Sequence, residues 1–168
     1  MKFVWSVVSI SALLLLSFIS QSTADAAAKV DESVATNFEL MTSDGQSFTL
    51  HDYAGKPVIL HFWATWCPYC KKLQPGLEKL RLNYQHTDLQ MIGISFSEDA
   101  GANPGQSLLD RGIKMTTLVL GDEVANLYGI TGTPTTVFID RSGHIAWMSN
   151  TSDPDDPNLD KAIQFLLK

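Results

Sequence analysis

The sequence has few cysteines, little charge and no basic excess. Its 168 residues hold only two cysteines, Cys67 and Cys70, separated by Pro68-Tyr69. A single pair rules out a multi-disulfide scaffold and a four-thiolate metal centre. Lys and Arg number 12 against 18 Asp and Glu, a net charge of −6, so the positive footprint that a nucleic-acid partner needs is missing. Charged residues make up 18% and hydrophobic ones 45%, the balance of a globular chain rather than a disordered one. Internal repeats and low-complexity tracts are absent. His51, His86 and His144 show no ligand spacing with each other or with the cysteines, so no metal is expected.

The longest apolar run lies at the amino terminus. Lys2 precedes the stretch Val7 to Ile19, and polar Ser20-Gln21-Ser22-Thr23 and small Ala24-Asp25-Ala26 follow. That order is the order of a secretory signal peptide over residues 1–26, with cleavage after Ala24 or Ala26. An uncleaved membrane anchor is the weaker alternative, because the run is marginal in length for spanning. No cysteine follows it to carry a lipid. Residues 27–36 read as a flexible terminus and 37–168 as one domain, a length that allows a full core. Export places the domain in the bacterial periplasm or an equivalent space, held at the inner membrane if the segment stays uncleaved.

The centre of the chain carries the chemistry. Val58 to Ala64 is almost continuously apolar, as in a strand covered on both faces. After Cys67 the period changes, and Leu73, Leu77 and Leu80 recur at helical spacing to about Tyr84. The cysteines thus fall where strand gives way to helix. Three apart at a helix start, they can close a disulfide and reopen it. Cys67 sits where unpaired N–H groups and the positive dipole end stabilise a thiolate, and Pro68 fits the first turn. Cys67, the more exposed of the two by this reading, is the expected nucleophile, and Cys70, one turn in, resolves the mixed disulfide. A structural staple is disfavoured, since so short a loop constrains little of the unfolded chain.

Other segments read as follows. Phe38 to Met41 and Gln46 to Leu50 flank Ser43-Asp44-Gly45 as a hairpin. Leu89 to Phe96 is a second buried strand, Gln106 to Arg111 a short helix, and Thr116 to Leu120 a short strand. Asp122 caps a helix that stops at Gly129. Thr135 to Asp140 and His144 to Ser149 form another hairpin, and Leu159 to Leu167 is a closing amphipathic helix. The first long helix contains Pro75, which should kink it. This alternation gives an α/β domain with a mixed central sheet flanked by helices. Asn150-Thr151-Ser152 is a glycosylation sequon, meaningful only in a eukaryotic secretory host.

Phe62-Trp63-Ala64-x-Trp66-Cys67-x-x-Cys70-Lys71 resembles the active-site segment of thioredoxins, and more closely that of the exported TlpA-like thiol–disulfide oxidoreductases. Tyr128-Gly129-Ile130-Thr131-Gly132-Thr133-Pro134-Thr135 is similar to the family's cis-proline segment. Asn37-Phe38-Glu39-Leu40, with Gly45, Leu50 and Gly55-Lys56, resembles the amino-terminal hairpin of the TlpA and peroxiredoxin branch. The resemblance implies a thioredoxin-like fold with that hairpin and a TlpA-like insertion over Ser97 to Gln106 and around Thr116. It implies a cis Pro134 beside the disulfide, with Thr133 pairing a bound substrate strand. Trp66, Pro68 and Tyr69 would shape the docking surface and tune Cys67, while Trp63 belongs to the core. Pro68-Tyr69 is the glutaredoxin-type dipeptide.

Two positions depart from the family pattern. His61 stands where thioredoxins carry a buried acid, which makes it a candidate proton shuttle or a plain strand histidine in equal measure. Leu73 stands where many TlpA-like reductases carry a glutamate. Lys71 and Lys72 read as solvated. The expected activity is reduction of protein disulfides through a Cys67–Cys70 dithiol, with no cofactor beyond that pair. Protein thiol or disulfide substrates, a membrane-embedded electron donor and a monomeric state are expected. A disulfide-donating oxidase, a thiol peroxidase with antioxidant activity, and a non-catalytic binding module are the alternatives.

Overall fold

The computed structural model describes residues 34–168, so the proposed signal peptide at 1–26 and its cleavage site lie outside the described residues. Val58–Trp63 forms β3, and all six of its residues are buried. It is the middle strand of a five-stranded sheet ordered β5-β4-β3-β6-β7. On one side β3 pairs in parallel with β4 (Gln90–Ser95), which pairs in parallel with β5 (Thr116–Leu118). On the other it pairs antiparallel with β6 (Thr135–Ile139), which continues into β7 (Ile145–Ser149). The sheet is therefore mixed, and helices cover it: α1 (Pro68–Asn83), α2 (Pro104–Leu109), α3 (Asp122–Leu127) and α4 (Pro157–Leu166). The expected α/β thioredoxin-like class holds.

Alternation along β3 divides the core into two faces. Val58, Leu60 and Phe62 join Ile92, Ile94, Leu118, Val137, Ile139 and the α3 residues Val124 and Ala125. Ile59 and Trp63 join Cys67, Cys70, Leu73 and Leu77 of α1 and Leu159, Ile163 and Leu166 of α4. The amino-terminal hairpin, β1 (Glu39–Met41) with β2 (Ser47–Thr49), forms its own two-stranded sheet. It closes the first face through Phe38 and Phe48, whose rings stack at 5.9 Å.

Several boundaries differ from the sequence reading, each for a local reason. α2 starts at Pro104 rather than Gln106, because Asn103 caps it by accepting the Gln106 N–H at 3.0 Å. β5 ends at Leu118, since Leu120 turns away with a φ of 59°. Gly121, not Asp122, is the N-cap of α3; Asp122 instead accepts the Ser97 N–H at 3.0 Å. α1 is assigned as one sixteen-residue helix with Pro75 inside it. Residues 34–36, expected within a flexible terminus, are tied down: Ala35 N–H donates to Gly143 O at 2.8 Å, and Tyr128 Oη–H to Thr36 O at 2.7 Å.

Candidate active site

β3 ends at Trp63, and five residues later α1 begins, so the strand aims the intervening loop at the sheet's carboxyl edge. Cys67 and Cys70 are joined as a disulfide with Cα atoms 5.4 Å apart. Cys67 is the N-cap of α1, and its Sγ accepts the Cys70 N–H at 3.1 Å. Serine, threonine or aspartate usually fills this position; here a sulfur does, at the positive end of the helix. Exposure does not separate the two cysteines as the sequence reading supposed, since Cys67 is 1% exposed and Cys70 0%. The difference between them is the helix position and the hydrogen bond that Cys67 receives.

The loop is held by a residue the sequence reading left as part of a polar loop. Glu98, beyond β4, accepts the Thr65 N–H at 2.8 Å, the Thr65 hydroxyl, and the Ser95 hydroxyl at 2.6 Å. One carboxylate thereby fastens Thr65, two residues before Cys67, to the end of the neighbouring strand. No periodicity marks Glu98 in the sequence; only the β3–β4 pairing brings it there. Trp66 is 49% exposed and its indole N–H donates to Ser97 O at 2.7 Å. Tyr69 is 62% exposed, and Pro68 occupies the first helical position. Exposed aromatic surface thus lies immediately before each cysteine in sequence, while Trp63 lies wholly in the core.

The Thr133–Pro134 bond is cis. β6 begins one residue later, and its Thr135 is the register partner of Phe62, so the cis bond enters beside the end of β3 from which the cysteine loop departs. Thr133 is half-buried and Pro134 buried. Thr135 Oγ–H donates to Gly132 O at 2.8 Å and pins this turn. Tertiary structure thus brings together two segments more than sixty residues apart.

Beneath α1 lies a polar cluster on the otherwise apolar second face. His61 is fully buried, with Nδ1 3.2 Å from Thr136 Oγ1 and no partner on Nε2. Burial, with the Arg111 charge adding to it, holds its pKa down at about 3, so the ring is neutral near neutral pH. Gln74 is fully buried too; its Oε1 accepts from Arg111 Nη1, and its Nε2 has no partner. Arg111 also donates from Nε to Ser107 O at 2.7 Å and sits 5.6 Å from the Trp63 ring centroid. Trp63 in turn donates its indole N–H to Thr117 Oγ1 at 3.2 Å, and fits because Gly93 has no Cβ: one added there would come within 3.0 Å of the indole nitrogen. The sequence did carry a signal for Gln74, a polar residue inside the Cys70-Leu73-Leu77 stripe. Among the described residues, no group of three or more His, Cys, Asp and Glu side chains is placed to hold a metal.

Comparison with known proteins agrees with this geometry. The AhpC/TSA family model matches residues 32–148. The thiol-disulfide oxidoreductase ResA of Halalkalibacterium halodurans is 33% identical over 138 residues, which cover 81% of this chain and 77% of that protein. ResA of Geobacillus thermodenitrificans is 32% identical over 67% of this chain and 65% of its own. The crystal structure of a thiol:disulfide interchange protein of the thioredoxin family from Chlorobium tepidum matches with a TM-score of 0.71 at 25% identity, covering 84% of this chain and all of that one. The chain belongs to the AhpC/TSA family and is a thioredoxin-fold thiol–disulfide oxidoreductase.

Proposed function

We propose that the protein acts outside the cytoplasm as a reductase of protein disulfides, with Cys67 as nucleophile and Cys70 as resolving thiol. The observation that carries the assignment of the nucleophile is Cys67 Sγ as the N-cap of α1, accepting a backbone N–H, while the reducing direction is supported by the likeness to the TlpA-like segment. A sulfur in that position is stabilised as a thiolate once the disulfide is reduced, and the thiolate is the attacking species. It displaces one sulfur of a substrate disulfide to give a mixed disulfide. Thr133 and the cis Pro134 hold the substrate strand, and Trp66, Pro68 and Tyr69 shape the surface it meets. Cys70 then closes the enzyme's own disulfide and frees the reduced substrate. No cofactor takes part beyond this pair.

The signal-peptide pattern of residues 1–26 supports export to a periplasm-like space, ahead of a single domain at 37–168 acting as a monomer. Among the described residues, no helix is long and apolar enough to cross a membrane. A membrane-embedded donor returns two electrons to the disulfide after each turnover. The deciding measurement is the reduction potential of the Cys67–Cys70 pair, equilibrated with dithiothreitol or glutathione. A value at or below about −270 mV, the thioredoxin end of the scale, supports a reductase; one near about −120 mV makes the protein a disulfide donor instead. Turnover of hydrogen peroxide with a dithiol would point to the peroxidase reading that the AhpC/TSA membership invites.

A further inference from the structure

We propose that Gln74 and Arg111 activate the resolving thiol: when the disulfide opens, the Gln74 amide and the Arg111 charge stabilise the Cys70 thiolate, so that no buried base is needed. The inference rests on reading Cys70 as the resolving thiol.

The orientation of Gln74 is fixed by Arg111. A guanidinium only donates, so the oxygen of the amide faces it and the NH2 group turns away. That NH2 is buried and has no acceptor in the oxidised protein. Gln74 follows Cys70 by four residues on one buried face of α1, which places the two side chains as neighbours one turn apart. A disulfide sulfur is a weak acceptor and a thiolate a strong one. The idle donor therefore gains a partner only when Cys70 becomes negative.

Arg111 supplies the charge. Three of its N–H donors go to Ser107 and Gln74, and among the described residues its hydrogen bonds and ion pairs include no carboxylate, so its charge is not neutralised locally. The other ionisable groups around this face compete little. Lys71 and Lys72 of α1 are exposed, and Glu78 is held by Arg81 at 2.7 Å. Asp110 after α2 takes the Gln106 amide, and Asp160 of α4 takes the Tyr84 hydroxyl, while Lys161 of α4 is exposed. β4, β5 and β6 contribute no ionisable side chain, and β3 contributes only His61. His61 is a poor proton acceptor in this setting, because burial and the Arg111 charge both disfavour a second cation.

The step balances without a base. The Cys70 thiol gives its proton to water, and the thiolate attacks Sγ of Cys67 in the mixed disulfide. The Cys67–Cys70 bond forms as the Cys67–substrate bond breaks. The enzyme loses two electrons to the substrate sulfur, which leaves as a thiolate and takes a proton from water.

The test titrates Cys70 alone, in a Cys67→Ser background, by ultraviolet thiolate absorbance. Arg111→Met and Gln74→Leu should each raise the Cys70 pKa by about one unit, cutting the thiolate fraction near neutral pH roughly tenfold, and Arg111→Lys should restore it. In the intact pair, Arg111→Met should shift the potential toward the reducing end, because the reduced form loses stabilisation. An unmoved Cys70 pKa in folded Arg111→Met and Gln74→Leu proteins overturns the proposal. So does a pKa that responds to His61→Leu alone. Should Arg111→Met fail to fold, Gln74→Glu carries the same test: a carboxylate one turn from Cys70 should raise its pKa beyond the leucine value. Wild-type turnover of disulfide substrates is measured separately. An inert protein whose Cys70 pKa still depends on Arg111 would sink the reductase reading and support this one.

Discussion

One strand supplies two unlike faces. Toward the amino-terminal hairpin and α3, β3 presents Val58, Leu60 and Phe62 to a cluster of apolar and aromatic side chains, and the buried threonine beside Phe62, Thr135, has its hydroxyl satisfied by Gly132 O. Phe62 meets Phe96 edge-on at 6.2 Å and Tyr128 at 5.9 Å. Toward α1 it presents Ile59, His61 and Trp63, and this face admits the disulfide, a neutral histidine, a buried amide and a guanidinium. Burying unpaired polar atoms costs free energy, and a face that served only stability would exclude them. Both of the unpartnered buried side-chain nitrogens found among the described residues belong to this side, His61 Nε2 on β3 and Gln74 Nε2 on the cysteine helix itself. The division shows which half of the core is shaped by packing and which by chemistry.

Removing the sulfurs should break the comparison most completely. Cys67→Ser should abolish disulfide exchange, while Cys70→Ser should still attack substrate and accumulate a mixed disulfide, visible as a mass increase on a non-reducing gel. Both proteins should stay folded, because a disulfide closing so short a loop adds little stability. If Cys70→Ser traps nothing and Cys67→Ser does, the assigned roles are reversed.

The next effect falls on the opposite face. Phe62→Ala removes a fully buried ring and should cost about 3–5 kcal/mol in chemical denaturation. The reduction potential of the surviving folded protein should not move. A shifted potential would show that the two faces are coupled through β3, contrary to the division drawn above.

A smaller effect comes from His61 and is read as pH dependence. Its folded pKa of about 3 lies below the unfolded value of 6.5, so between them the unfolded chain binds a proton that the folded one does not. Its contribution is fully present above pH 6.5 and is lost on acidification, at about 1.4 kcal/mol per pH unit. Glu78, whose pKa the Arg81 hydrogen bond holds below 4.5, adds its own loss only at lower pH. Urea denaturation between pH 6.5 and 4.5 therefore reads the histidine ahead of Glu78. His61→Leu should flatten that slope; an unchanged slope means the proton is taken up elsewhere.

The apolar packing of both faces was largely legible in the sequence, because period alone identifies it: the run from Val58 to Ala64, the leucines of α1, and the hairpin around Gly45. The cysteine pair and Pro134 were legible through motif and spacing. What escaped were contacts that only tertiary structure makes. Glu98 reaches Thr65 across the β3–β4 pairing, and Arg111, in what reads as the last turn of a short helix, reaches Gln74 of another element. The buried state of Cys67 escaped as well, since being first in a motif does not fix exposure.

The smallest effect belongs to a contact that serves neither face. Arg141, in the β6–β7 turn, grips Asp88 ahead of β4 with two guanidinium nitrogens, Nη2 to Oδ1 at 2.9 Å. The Arg141 hydrogen bond lowers the Asp88 pKa, yet both side chains stand in solvent, 41% and 43% exposed. Water and salt screen such a pair, and ordering two side chains offsets much of what it gains. Asp88→Asn should therefore move the denaturation midpoint less than any change above, and the difference should vanish in concentrated salt. The potential and the mixed-disulfide yield should match wild type. A larger loss that persists in salt would show that this turn helps hold β6, and with it Pro134, in register against β3.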